Sequence, residues 1–276
     1  MDRLPLRGTP FPFGLSFVPA DVLGPVIGAS HGPVPDLVEA CGVLGASFAF
    51  VPADVAWSES AAAVLAEADV APMWAVSGPL WPVIEARGAL EGLRETLTRP
   101  EEIGAEIDAL LDAQMAEVAR GARAGARAVV LAEDLAGTSG PLVAPDFAIA
   151  ELLPRYVRIV EAARSLGMPA VLHSDGDIRP LLPAIARAGF VAVHVGGGLD
   201  VDAFERLFWS AREEGLAVIG GLLTVELVNT VRAEALGSRI GVLARAGGLL
   251  VADDGGITTP LEMSALVTAL AAARST

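Results

Sequence analysis

The chain has 276 residues, is 53% hydrophobic and carries a formal charge of −15; that is ample apolar material for a core, and long for one domain unless the fold is a barrel. All 19 basic residues are arginine, and with no lysine present Schiff-base aldolase, pyridoxal-phosphate and P-loop chemistry are excluded. The acidic balance argues against nucleic acid as a partner.

The opening MDRLPLRGTPFPFG lacks the charged-then-apolar pattern of a secretory signal. No apolar run approaches the roughly 20 residues of a membrane span, and the single Cys41 permits no intrachain disulfide. A cytoplasmic protein without membrane attachment is expected. Eight apolar runs of strand length follow in chain order, at 12–18, 47–53, 71–77, 127–133, 169–175, 190–196, 216–222 and 248–254. Each is near-continuously apolar, as strands buried on both faces are. Helical patterns lie between them, among them 103–125, 152–167 and 201–215, and these three end in a glycine ahead of the next strand. The gap 78–126 is the longest and has room for more than one helix. No G-x-G-x-x-G follows the first run, which counts against a doubly wound dinucleotide fold. Eight alternating units predict a single (β/α)8 TIM barrel spanning residues 1–276.

In such barrels the site is built where strands end and the following loops begin. Those positions hold Asp21 and His31 after the first strand, Asp54 after the second, and Ser77-Gly78-Pro79 after the third. Glu133-Asp134 follow the fourth, His173 and Asp175 the fifth, His194 the sixth and Asp253-Asp254 the eighth. Six of these carboxylates, all but Asp21, would share one mouth, a costly crowding unless a cation or hydrogen-bond donors compensate. It motivates a metal or acid–base site. Plainer roles stand beside this one. Asp175 or Asp177 suits the cap of the next helix, with Asp177 the better placed. His194 suits a core position, His31 the surface, and Asp253-Asp254-Gly255-Gly256 a turn. The four tryptophans suit packing.

Residues 133–194, EDLAGTSGPLVAPDFAIAELLPRYVRIVEAARSLGMPAVLHSDGDIRPLLPAIARAGFVAVH, resemble the uroporphyrinogen decarboxylase superfamily, chiefly in the HSDG segment and the helices on either side of it. GGLLVADDGGITTPLEMSALVTAL (247–270) resembles its last strand and helix, and VSGPLWPVIEARG (76–88) and FVPAD (50–54) add weaker likeness. The resemblance covers most of 45–272 and implies a (β/α)8 barrel. It also implies one of two chemistries. The decarboxylase pattern has an arginine-rich first strand, an aspartate after the second, a tyrosine shortly after the G-x-P-W segment and a histidine near the last strand. Here 14–24 holds no arginine, Asp54 matches, the only tyrosine is Tyr156 on a later helix, and Asp253-Asp254-Gly255 replaces the histidine. The zinc methyltransferase pattern has His-x-Cys after the fifth strand and a second cysteine after the eighth. Here these positions read His173-Ser174-Asp175 and Asp253 or Asp254.

By that resemblance the chain sits nearer the corrinoid-methyltransferase branch. His173, Asp175 and Asp253 are the expected metal ligands, for zinc or another divalent ion. Asp54, Glu133, Asp134 and His194 are the expected catalytic groups. The expected reaction is methyl transfer between a small methylated substrate and a corrinoid or thiol carrier. Any corrinoid would sit on a partner protein, and the chain itself would be a monomer or homodimer. The competing expectations are decarboxylation of uroporphyrinogen in porphyrin biosynthesis and a ligand-binding barrel without turnover.

Overall fold

The structure, a computed structural model, describes residues 11–276. Eight parallel strands close into a barrel: β1 Phe13–Leu15, β2 Phe48–Pro52, β3 Ala71–Ser77, β4 Ala128–Ala132, β5 Ala170–Ser174, β6 Ala192–Val195, β7 Ala217–Leu222 and β8 Leu249–Asp253. Each pairs with its neighbours in sequence, and β8 returns to β1. The fold is the single (β/α)8 barrel that the alternating pattern predicts.

The strands read as continuous apolar runs because both faces are covered. One face fills the barrel interior with Phe48, Phe50, Met73, Val130, Val171, Ile219 and Leu250. The opposite face, including Val51, Trp74, Val129, Leu172 and Val251, packs under the helices. Alanines at 75, 128, 192, 217 and 252 let the interior rings fit.

Two differences from expectation have local causes, and the long gap fills as expected. The first strand is short because the Ser16 N–H turns away from the ladder to a carboxylate of β8, Asp253. The gap 78–126 holds three helices, Leu80–Glu85, Ala89–Thr98 and Pro100–Arg123. After β5 the chain enters a 3-10 turn, Arg179–Leu181, before the helix Leu182–Arg187. Asp177 starts that turn, accepting the Arg179 N–H at 3.2 Å and pairing with its guanidinium, whereas Asp175 stays out of it. Elsewhere the glycine signals hold: Gly125, Gly167 and Gly215 follow their helices at positive φ. The loop AGTSG after β4 is an ordered hairpin, Ala136–Gly137 against Gly140–Pro141.

The last two helices, Thr230–Arg245 and Pro260–Ser275, cross closely. A Cβ on Gly237 would overlap the Ala269 carbonyl, and one on Gly241 the Ala273 carbonyl. Gly237→Ala is expected to lower stability by about 2 kcal/mol, the usual cost of overpacking. Its urea unfolding midpoint, compared with wild type at unchanged slope, checks this.

Candidate active site

The C-terminal mouth sorts its acidic residues into three structural roles. Asp253 and Asp254 are latches. The Asp253 carboxylate accepts from the Ser16 N–H at 2.7 Å, the Ser16 hydroxyl and the Gly255 N–H at 2.9 Å, which ties β8 to the residue after β1. Burial pushes its carboxyl up even so. Asp254 accepts from the Thr224 N–H, the Thr224 hydroxyl and the Gly256 N–H, fixing the loop after β7. Asp253 is not among the ligand atoms that cluster around His173, and its carboxylate oxygens are engaged by the Ser16 and Gly255 donors.

Glu133 is a strut. It is 1% exposed and accepts from the Tyr156 hydroxyl at 2.7 Å and the Leu80 N–H at 2.9 Å, with the Trp81 N–H at 3.4 Å. A Cβ on Gly78 would overlap its carboxylate, so the glycine in SGPLW is what admits it. Burial pushes Glu133 up to about 7 despite those donors, and burial first, then the Glu133 charge, drives the Tyr156 phenol well above its ordinary value. Trp81 carries the strut onward: its indole N–H donates to the Asp134 carbonyl at 2.8 Å.

The third group gathers around His173. The ligand atoms of Asp134, His173 and Asp175 lie within 4.8 Å of one another. Asp134 accepts the Asp175 backbone N–H at 3.0 Å and stands 3.7 Å from His173 Nε2. Asp175 accepts the Gly197 N–H at 2.9 Å. A Cβ on Gly196 would overlap the Asp175 carboxylate, so the glycine run after β6 makes the space. Burial, with the neighbouring Asp134 charge, holds the Asp175 carboxyl up to about 6.

His173 and His194 occupy paired positions on β5 and β6, and their Nδ1 atoms are 2.7 Å apart. The proton positions follow by elimination. His194 Nε2 lies 3.1 Å from the Asp253 carbonyl, which can only accept, so His194 carries its proton on Nε2. Burial holds His194 down to about 4, so the ring is neutral at neutral pH and its Nδ1 accepts. His173 must then donate from Nδ1. Burial and the facing ring hold His173 well below its usual range, so it too is neutral. Its Nε2 is left as a lone pair directed at the Asp134 side. A histidine whose second nitrogen is engaged in this way is oriented as a metal ligand is. Phe17 packs edge-on against both rings, 5.1 Å from His173 and 6.0 Å from His194, and Phe50 packs on His194 at 4.9 Å.

Of the other expected residues, Asp54 is exposed in the turn after β2, outside this group, and His31 is exposed with its N–H given to Asp36. Trp74 is fully buried beneath Arg120, Trp57 and Trp81 are partly buried against the core, and Trp209 is exposed under Arg212. Sequence reading missed Phe17, Trp81, Tyr156 and Gly196 as parts of the site. Only Tyr156 (the sole tyrosine) and the triple glycine after β6 left a visible trace.

The uroporphyrinogen decarboxylase family model matches residues 77–237, more than half the chain. The chain belongs to the uroporphyrinogen decarboxylase family. Among solved structures it is similar to a methyltransferase from Methanosarcina mazei, at TM-score 0.67 and 17% identity over 97% of this chain and 92% of that one. It is also similar to a protein from Burkholderia cenocepacia described as a lyase/mutase, at TM-score 0.48 and 15% identity over 98% and 84%. At these identities the likeness is one of fold. A search of the curated proteins finds no match. The segment that matches the uroporphyrinogen decarboxylase family contains Glu133, Asp134, His173, Asp175 and His194, while Asp54, Asp253 and Asp254 fall outside it.

The Glu133 strut has a measurable signature. A carboxyl whose folded pKa lies above its unfolded value stabilises the fold fully below the unfolded value and loses that stability as pH rises through the folded one. For Glu133 the window runs from 4.5 to about 7, with a loss of about 3 kcal/mol across it. Glu133→Gln is expected to remove this part of the pH dependence, so that urea stability measured at pH 5 and pH 8 differs less than in wild type.

Proposed function

We propose that the protein is a metal-assisted methyltransferase, moving a methyl group between a small methylated compound and a corrinoid or thiol carrier. The carrier corrinoid would ride on a separate protein. The observation that carries this reading is the lone pair of His173 Nε2, held by the His173–His194–Asp253 chain and facing two carboxylates within 4.8 Å. One imidazole and two carboxylates suit zinc, and also manganese or iron. Asp134, His173 and Asp175 would hold the ion and leave a position open. A divalent ion there lowers the pKa of a bound thiol or alcohol and so makes a nucleophile at neutral pH.

The protein's own groups do the rest. His194 keeps His173 in the ligating tautomer. Asp134, with a side chain 44% exposed, is the member of the group through which the proton lost by the nucleophile reaches solvent. Glu133 and Trp81 fix the backbone of Asp134 and are positioning residues. Phe17 and Phe50 exclude water from the inner side of the histidine pair, where a low dielectric strengthens each polar contact.

Metal analysis after reconstitution with Zn²⁺ is expected to give about one ion per chain. His173→Ala and Asp134→Asn should lose it, and Asp253→Asn should retain it at lower stability, reversing the order that the family pattern implies. Replacing the supporting His194 by leucine should weaken affinity roughly 10- to 100-fold. Zinc-loaded protein should convert methylcobalamin and 2-mercaptoethanol to cob(I)alamin and the methyl thioether, followed by visible absorbance. Absence of both ion and reaction would sink the proposal.

A further inference from the structure

Asp134 and Asp175 come from the ends of neighbouring strands, and the bonding between those strands changes where they stand. Along β4 and β5 the Val129 N–H donates to the Pro169 carbonyl at 3.0 Å and the Glu133 N–H to the His173 carbonyl at 3.1 Å. In a parallel ladder of that register the next rung joins the Leu135 N–H to the Asp175 carbonyl. A hydroxyl stands in that rung instead. The Leu135 N–H donates to Ser174 Oγ at 2.9 Å, and Ser174 Oγ donates to the Asp175 carbonyl at 2.8 Å. Ser174 is fully buried, and both of its bonds are made inside the protein.

This one oxygen lies between the backbone segments that carry the two carboxylates. Leu135 follows Asp134 directly, and the carbonyl belongs to Asp175 itself. The Asp175 N–H donates to the Asp134 carboxylate at 3.0 Å. Both backbone polar groups of Asp175 therefore end on the Asp134–Leu135 segment, one directly and one through the hydroxyl. A direct rung spans one hydrogen bond of about 2.9 Å, whereas the hydroxyl-mediated rung spans two. The strand ends are held apart at the point where Asp134 and Asp175 close around His173.

We infer that Ser174 is a positioning residue: its hydroxyl, inserted as a spacer in the β4–β5 ladder, holds Asp134 and Asp175 at the separation that lets both reach one divalent ion beside His173 Nε2. The inference rests on the metal reading of that cluster. Without the hydroxyl, the Leu135 N–H and the Asp175 carbonyl either lose their partners in a buried place, which is costly, or close the rung directly and draw the strands together. In both cases the two carboxylates lose their spacing.

The test measures Zn²⁺ affinity, by competition with a chromophoric chelator, on full-length wild type, Ser174→Ala, Ser174→Thr and Gly237→Ala. Circular dichroism checks that each is folded, and amide exchange of Leu135 is followed without metal. Ser174→Ala should bind Zn²⁺ roughly 10- to 100-fold more weakly, the usual effect of losing a group that supports a ligand, and its Leu135 amide should exchange faster. Ser174→Thr keeps the hydroxyl and should stay within about threefold of wild type. Gly237→Ala, destabilised where the last two helices cross, should bind Zn²⁺ as wild type does, which separates positioning from stability. Wild-type affinity in folded Ser174→Ala overturns the inference and leaves the metal reading standing. Alanine-like affinity in a Ser174→Thr protein whose Leu135 amide is protected overturns it too. Should Ser174→Ala not fold, retained affinity in Ser174→Thr with a protected Leu135 amide supports the spacer, and an unprotected Leu135 amide in wild type overturns it. Absence of Zn²⁺ uptake by wild type overturns the metal reading and this inference with it.

Discussion

The structure turns on Asp253, the last residue of the last strand. A barrel of eight parallel strands exists only if the eighth meets the first, and β1 is just three residues long. The Asp253 carboxylate supplies what that short ladder lacks, taking both the N–H and the hydroxyl of Ser16. Its carbonyl does a second job from the same backbone position, accepting from His194 Nε2. The bond that sets the proton on His194, and through it the lone pair on His173, thus originates in the residue that closes the barrel. Closure and site geometry share one anchor, so the histidine pair is only as well placed as the seam.

Burying so many carboxylates at one end is possible because each is given donors of its own. Asp254 has the Thr224 pair and Gly256. Glu133 has Tyr156 and the start of the helix after β3. These groups are satisfied within the protein and have little capacity left for a ligand. Asp134 and Asp175 differ. Each accepts a backbone N–H, yet they stand close together beside an unprotonated nitrogen. The contrast between satisfied latches and an under-neutralised cluster sets Asp134 and Asp175 apart from the other acids that end strands at the same mouth.

The mouth has an apolar side as well as an acidic one. Phe17 reaches from the loop after β1 across to the histidines of β5 and β6, and with Phe50 it seals the barrel interior beneath them.

Sequence alone determined the architecture and the end of the barrel at which the candidate site lies. Continuous apolar runs can be buried only between two covered faces, and eight of them alternating with helices leave a barrel as the consistent solution. Strand tips in a barrel converge, which is why Glu133, Asp134, His173, Asp175, His194 and Asp253 were all legible as mouth residues. The division of labour among them was decided by tertiary structure. Asp253 finds its donors on Ser16, 237 positions away along the chain, and His173 meets His194 through strand register. Neither leaves a local pattern. Asp134 groups with His173 and Asp175 for the same reason: a carboxylate's surroundings are set by the donors and charges that the fold brings to it, and the residue type does not encode them.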